Sequence, residues 1–175
     1  MLFVIIDITM NMMNISDIIS VSFLGVFVLP ILMYIVTNNL QYLALFISLI
    51  VFGGAIEIVK IILGKEGKFA RPVEACKCDI LCLSENDSGK PGYPSGHVGM
   101  TTFFVVSMSV LLFANYHKEL WGLWMLAIGM IWIYMVAKSR IYKKCHTEEQ
   151  VIVGFFAGIT GALFFSLTMG LPIFS

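Results

Sequence analysis

Five apolar runs, each long enough to cross a lipid bilayer, dominate this sequence. We predict membrane-spanning helices at residues 18–36, 41–63, 96–116, 119–137 and 148–172. A helix needs about 20 apolar residues to cross the hydrocarbon core, where its backbone must satisfy its own hydrogen bonds. Hydrophobic residues make up 59% of the 175 residues, above the share found in soluble domains. We therefore expect an all-α, polytopic membrane bundle of about five transmembrane helices.

Three details of the apolar runs carry further expectations. Residues 1–13 are apolar but too short to span a bilayer, so we predict a short N-terminal helix along the membrane interface. Pro30 is expected to kink the first span. In the second span, the adjacent Gly53 and Gly54 are expected to allow close helix approach.

Two polar loops separate the apolar runs and hold most of the basic residues. The longer loop, residues 64–96, is rich in glycine and proline, and the shorter loop comprises residues 138–147. A polar segment as long as the first is typically functional in a compact protein. With five crossings, both loops lie at the same membrane face. The formal net charge is zero, so overall charge gives no case for nucleic acid as a partner.

Rare cationic and imidazole side chains are concentrated in these loops. The chain has two arginines and three histidines, of which four lie in or beside the loops, at Arg71, His97, Arg140 and His146. The remaining one, His117, is expected to be an exposed loop residue. Arginine forks match phosphate oxygens, and imidazoles transfer protons or attack phosphorus near neutral pH. We therefore predict a phosphate site at a water interface.

The start of the third span fits the same prediction. Ser95 is a favourable N-cap residue, and the amides of Gly96 and His97 would open a helix whose positive end attracts an anion. The sequence contains no Walker loop, nicotinamide fingerprint or carboxylate-rich magnesium site. We therefore expect neither a cofactor nor a metal ion.

The four cysteines also lie in the two loops, at positions Cys76, Cys78, Cys82 and Cys145. Disulfides in an oxidising compartment, a metal site and free thiols are the three interpretations. The Cys-x-Cys-x3-Cys spacing is not typical of a zinc site, so zinc is the weakest of them. We favour disulfides over free thiols and leave the pairing open.

Two motifs resemble a known family. Residues 94–97 read Pro-Ser-Gly-His, and residues 139–146 read Ser-Arg, five residues, then His. Because these motifs occur in this order, the chain resembles the type 2 phosphatidic acid phosphatase superfamily. The three motifs of that superfamily are Lys-x6-Arg-Pro, Pro-Ser-Gly-His and Ser-Arg-x5-His-x3-Asp. The motifs and their spans cover about residues 41–172, and we expect residues 1–175 to form a single membrane phosphatase domain.

The resemblance implies a role for each matching residue. His146 would be the nucleophile that forms a phosphohistidine, and His97 would be the general acid that protonates the leaving oxygen. The groups implied to bind phosphate are Arg71, Ser95, the Gly96 amide and Arg140. No metal is needed in this scheme.

The first motif departs from the family pattern. Neither Lys60 nor Lys65 has the family spacing before Arg71. We favour Lys60 as the phosphate-binding lysine, reaching the site from the end of the second span, and keep Lys65 as the second candidate. Alternatively, Lys60 forms only a local ion pair with Glu57, three residues before it.

The third motif ends in Gln150 where the family has aspartate. A glutamine can accept a hydrogen bond from His146 Nδ1–H but brings no charge. Thr147 and Gln150 also have the spacing of a capping box for the fifth span, and we expect the two roles to compete for one amide. With a glutamine at this position, the motif resembles that of the dolichyl diphosphate phosphatase branch of the superfamily.

These residues favour a membrane phosphatase that acts on a lipid phosphate or a polyprenyl diphosphate, with membrane lipids around it. A phosphatidate or sugar phosphate is the alternative substrate. A catalytically silent scaffold or transporter with the same fold is the alternative function, favoured by the two departures at Gln150 and at Lys60 or Lys65.

Two kinds of sequence feature give opposite predictions for the side of the membrane that the site faces. The basic residues of the two loops favour the cytoplasm. The glycosylation sequons at Asn14 and Asn86, and the cysteines, favour the lumenal or extracytoplasmic side. We expect the latter, as the resemblance also implies, in a membrane such as that of the endoplasmic reticulum.

Overall fold

A computed structural model describes residues 15–78, 86–116 and 119–171. This part of the chain contains six α-helices and no β-strand. The helices are α1 (Ile15–Ser22), α2 (Gly25–Thr37), α3 (Leu40–Leu63), α4 (Gly96–Tyr116), α5 (Glu119–Tyr142) and α6 (Glu148–Thr168). The expected all-α bundle is confirmed. The expected interfacial helix at residues 1–13, His117 and Cys82 lie outside the described residues.

The helices are those of an integral, multi-pass membrane protein. Helices α3, α4, α5 and α6 are each long and apolar enough to cross a membrane, and α1 with α2 makes a fifth crossing if the bent pair is one span. The two members of this pair are inclined by 44° to each other. The described residues thus give four crossings, or the predicted five if the bent pair counts as one span.

The bend in the first span lies ahead of the residue that was expected to cause it. The break falls at Phe23 and Leu24, whose amides bond to carbonyls three residues earlier, at 3.3 and 2.9 Å. Pro30 lies inside α2. The 44° bend therefore falls where the bonding tightens to the three-residue pattern and Gly25 begins a new helix, and the kink at Pro30 stays a prediction.

Helix α4 lies at the centre of the bundle and packs mainly against α5 and α6. Two thirds of its apolar stretch is buried, against a third or less in the other three long spans. Its core side chains include Val98, Phe103, Phe104 and Leu111, all nearly or fully buried. Because α4 is enclosed, the ends of the surrounding helices meet around its first turn.

Two glycines of α6 allow that helix to lie against the backbone of α4. Gly154 and Gly158, four residues apart, share one face of the helix. A Cβ atom at Gly158 would lie 2.4 Å from the Gly99 carbonyl oxygen, and one at Gly154 would lie 2.6 Å from that of Ser95. Only glycine permits this approach, which places the start of α4 beside the start of α6.

The expectation for the Gly53–Gly54 pair of α3 is right for one residue and wrong for the other. A Cβ atom at Gly53 would lie 3.0 Å from the end of the Met100 side chain on α4. One at Gly54 would meet nothing within 4 Å. Gly53 therefore faces a packed neighbour, whereas Gly54 borders open space.

A disulfide joins the two polar loops. Cys78 in the longer loop is bonded to Cys145 in the turn between α5 and α6, across 67 residues of sequence. Cys76 is an exposed free thiol. The preference for disulfides is thus confirmed for one pair, and the loops are held together at the face where α4 and α6 begin.

We predict that the α4–α6 contact limits stability. Gly158→Ala should destabilise the protein by about 1–3 kcal/mol, because a backbone oxygen cannot rotate away from the new methyl group. Gly54→Ala is the matched control, since it adds the same methyl group to open space. Thermal unfolding in detergent would give the melting temperatures of both variants. Equal values would contradict the claim that the α4–α6 contact limits stability.

Candidate active site

A cavity of about 790 Å³ opens between the break of the first span, α3 and the start of α4. Its walls include five of the residues that the sequence predicts for catalysis or phosphate binding, namely Lys60, Arg71, Gly96, His97 and His146. These residues come from α3, the long loop, the first turn of α4 and the turn before α6. The two polar loops therefore supply one site, as the predicted topology requires.

The orientation of the His146 imidazole is set by Gln150. The Gln150 Nε2 atom donates to the carbonyl oxygens of Lys68 and Ala70, both at 2.9 Å. Because those oxygens can only accept, the amide oxygen of Gln150 must face the other way, 3.1 Å from His146 Nδ1. The proton of a neutral His146 is therefore on Nδ1, and its Nε2 keeps the lone pair.

The same glutamine also completes the capping box of α6. The backbone N–H of Gln150 donates to the Thr147 hydroxyl at 3.3 Å. The side-chain oxygen of Gln150, Oε1, lies 3.4 Å from the backbone nitrogen of Thr147. The expectation that capping and orientation of His146 compete is therefore wrong. One carbonyl oxygen has two lone pairs, and the two donors approach it from the same end of the helix.

The environment of His146 keeps its imidazole neutral. The side chain is 3% exposed. Burial, followed by the positive charges of Arg140 and Arg71, lowers the pKa of His146 from 6.5 to about 3, against the opposing effect of the Gln150 hydrogen bond. At neutral pH this imidazole is consequently a base or nucleophile and not a cation.

Two polar side-chain atoms lie in the first turn of α4 and at the residue before it. The Ser95 hydroxyl and His97 Nε2 are buried and make no hydrogen bond with any described residue. Ser95 therefore precedes α4 without forming the expected capping bond. Gly96 lies on the cavity wall, so its amide and the Ser95 hydroxyl lie together at the positive end of the helix.

Arg140 lies fully buried at the end of α5. Its Nη1 atom donates to the Ser20 hydroxyl at 3.2 Å, and Nη2 donates to the carbonyl oxygen of Cys78. The guanidinium is thus held between α1 and the loop that the disulfide secures. Its charge acts on both imidazoles of the site.

Arg71 is held by a carboxylate that the sequence did not single out. Its Nη1 atom lies 3.5 Å from Asp87 Oδ1, and its side chain is 14% exposed. Asp87 is 3% exposed and also accepts from the Cys78 amide and from Lys90, both at 2.9 Å. Asp87 therefore joins both sides of the long loop. In the sequence it is visible only as the middle residue of a sequon.

Of the two candidate lysines, the structure brings Lys60 to the cavity. Lys60 Nζ lies 2.6 Å from Glu57 Oε1 and 3.3 Å from where a Cβ atom on Gly96 would be. The Lys60 side chain is 8% exposed, whereas Lys65 is exposed and outside the cavity lining. The ion pair with Glu57 and the position at the site, considered as alternatives, occur together.

This arrangement is suited to a tetrahedral anion. The cavity is lined by two cationic side chains, a helix N-terminus and two imidazoles, and the charge of the buried Arg140 acts on both imidazoles. Arginine and lysine hydrogens and backbone amides all donate to phosphate oxygens. Among the described residues, no group of three histidine, cysteine, aspartate or glutamate side chains is placed to hold a metal ion.

Comparison with known proteins agrees with the geometry. The model of the PAP2 superfamily matches residues 41–171. No individual curated protein and no solved structure matches the chain. The matched segment contains α3 to α6 and both polar loops, and therefore nearly the whole cavity. From this match over most of its length, the chain belongs to the PAP2 superfamily, whose members are phosphatases.

Proposed function

We propose that this protein hydrolyses a lipid phosphate, most specifically a polyprenyl diphosphate of the dolichyl type, through a phosphohistidine intermediate. The observation that carries the proposal is one cavity that is lined both by cationic and imidazole side chains and by apolar residues of the first span and α3. Such a cavity matches a molecule with a phosphate at one end and a hydrocarbon tail at the other.

In the proposed mechanism His146 is the nucleophile. Its Nδ1 hydrogen bond to Gln150 leaves the Nε2 lone pair available, and its lowered pKa keeps that atom unprotonated at neutral pH. Nε2 attacks phosphorus and forms a P–N bond as the P–O bond to the leaving group breaks. Gln150 carries no charge, and a diphosphate, whose leaving group departs more easily than an alcohol, suits this weaker support.

His97 serves as the proposed general acid. Its proton passes to the leaving oxygen, and the neutral imidazole then accepts a proton from the water that attacks the phosphohistidine. This second step breaks the P–N bond, releases inorganic phosphate and restores both histidines. Two imidazoles thus complete the cycle without a net change in the protein.

Five groups are proposed to hold the phosphoryl oxygens as charge develops. They are the side chains of Lys60, Arg71, Arg140 and Ser95 and the amide of Gly96. Donors that are already in place in a water-poor site stabilise the transition state more than they would in water. Loss of one such donor typically lowers the rate by about 10²–10³.

The proposed tail site is the apolar part of the cavity. Phe23, Leu24 and Phe27 of the first span line the cavity, as do Ile50, Gly53 and Gly54 of α3. The three α3 residues share one helix face with Glu57, which also lines the cavity and pairs with Lys60. The absence of a side chain at Gly54 leaves room for a hydrocarbon chain between the walls, and a sugar phosphate has no group to fill it.

The site is proposed to face the lumenal or extracytoplasmic side. The Cys78–Cys145 disulfide lies at the face that carries the site, and disulfides persist in oxidising compartments. Asn86 of the same loop is exposed, and its side chain accepts a hydrogen bond from the Ser88 amide at 2.9 Å. An accessible sequon supports the same side.

We predict that both site histidines are required for phosphate release. His146→Ala removes the nucleophile and His97→Ala removes the acid, so each should lower release from farnesyl diphosphate by at least about 10³. His117→Ala is the control, since it changes the third histidine of the chain. Undiminished release by either site variant, in folded detergent-solubilised protein, would contradict the mechanism and favour a silent scaffold.

We predict that Gly54→Leu distinguishes lipid from soluble substrates. The new side chain occupies the proposed tail site, so hydrolysis of farnesyl diphosphate should fall about tenfold or more while release from inorganic diphosphate is retained. Ile58→Phe, a change to an exposed position of the same helix outside the cavity lining, is the control. Phosphatidate and glucose 6-phosphate complete the panel, and a wild-type preference for the sugar would contradict a lipid substrate.

We predict that the long loop is glycosylated in a eukaryotic secretory membrane. The protein should show a glycosidase-sensitive mobility shift, and Asn86→Gln should abolish or reduce it because the acceptor amide is lost. Asn115→Gln, a change to an asparagine outside any sequon, is the control. Labelling of Cys76 by a thiol reagent from the cytoplasmic side of sealed microsomes would contradict the assigned orientation.

A further inference from the structure

The first span lies outside the segment that the PAP2 superfamily model matches, yet it contacts both ends of the catalytic machinery. We propose that one face of this span, formed by Ser16, Ser20 and Phe23, positions Arg140 and His97 for the reaction, with Ser20 as the principal positioning residue. This inference rests on the proposed phosphatase function and adds to it a part of the chain that the family motifs do not include.

The contact between Ser20 and Arg140 is direct. Arg140 Nη1 donates to the Ser20 hydroxyl at 3.2 Å, and both residues are fully buried. A hydroxyl group fixes the direction of a guanidinium without neutralising its charge. The Ser20 contact therefore adds no negative charge beside Arg140, which is compatible with the proposed role of Arg140 at the phosphoryl oxygens.

A chain of hydroxyl groups extends this contact along α1. Ser20 Oγ lies 3.0 Å from Ser139 Oγ, and Ser139 Oγ donates to the Ser16 carbonyl oxygen at 3.0 Å. The Ser16 hydroxyl is also 3.0 Å from Ser139 Oγ. Each hydroxyl can donate one hydrogen bond and accept another, so the network links the Arg140 guanidinium through Ser20 and Ser139 to Ser16. Hydrogen bonds in such a chain polarise and strengthen one another.

The next residue on the same face contacts the other end of the site. The Phe23 ring lies over the His97 imidazole, with 4.4 Å between ring centroids and 35° between planes. Phe23 is 2% exposed and lies at the break between α1 and α2. Its ring restricts rotation of the imidazole and keeps water from one of its faces.

The spacing of these residues explains why one helix reaches both groups. Ser16, Ser20 and Phe23 are at positions i, i+4 and i+7, which lie on one face of a helix. Ser22, on the same helix, is exposed, and its hydroxyl accepts from Trp132 Nε1 at 2.9 Å. Ser22 is therefore a suitable control serine, because its hydroxyl bonds to Trp132 and to the Ile19 carbonyl oxygen and not to Arg140 or His97.

The test compares Ser20→Ala with Ser22→Ala in the full chain, using farnesyl diphosphate hydrolysis and inhibition by orthovanadate. Loss of one charge-assisted hydrogen bond to Arg140 should lower kcat/KM about tenfold and raise the Ki of orthovanadate by a similar factor. Ser22→Ala should leave both unchanged. The Ki is informative because it does not depend on the fraction of enzyme that is folded.

Each outcome separates the inference from the function on which it rests. A lower apparent kcat for Ser20→Ala with wild-type Ki and KM would mean that Ser20 only stabilises the bundle, and would overturn the inference. Wild-type kinetics in Ser20→Ala, beside active wild-type protein, would overturn it as well and leave the phosphatase proposal intact. Absence of phosphate release from wild-type protein would overturn both.

Discussion

The close approach of α4 and α6 is the contact on which the rest of the structure depends. Gly154 and Gly158 let the backbones of α4 and α6 meet. The backbone N–H of Ser95 then donates to the backbone carbonyl oxygen of Gln150 at 2.9 Å. This single arrangement brings the first turn of α4 and its histidine next to the turn that holds His146. Helix packing in lipid relies on such small residues because hydrocarbon supplies no hydrophobic driving force between helices. The geometry of the site is thus decided by residues that perform no chemistry.

Cationic groups at a membrane border are stable only when polar partners surround them. In this protein some partners lie close in sequence, as Glu57 does to Lys60, and others lie far away, as Ser20 does from Arg140. Asp87 contacts Arg71, Glu57 contacts Lys60, and Ser20 with the Cys78 carbonyl contacts Arg140. The disulfide secures the loop that provides two of these partners. The protein thereby keeps several positive charges near one point before any anion binds.

Gln150 illustrates how one neutral side chain replaces a charged one. Its amide nitrogen is fixed by two backbone carbonyls of the long loop, and its oxygen accepts from both His146 and the Thr147 amide. The imidazole therefore has a defined tautomer without a carboxylate beside it. Burial and nearby arginines keep the pKa of His146 low, so the neutral form persists.

The sequence by itself determined the all-α membrane architecture, the convergence of two polar loops and the candidate histidines, because span length, residue rarity and motif spacing are local properties. Only the tertiary structure decided which lysine reaches the cavity, which cysteines pair, where the first span bends, and which side chains hold the arginines. Those answers depend on contacts between residues far apart in sequence, such as Ser20 with Arg140 and Cys78 with Cys145. No periodicity within a single segment encodes such contacts, since they arise only when the helices pack.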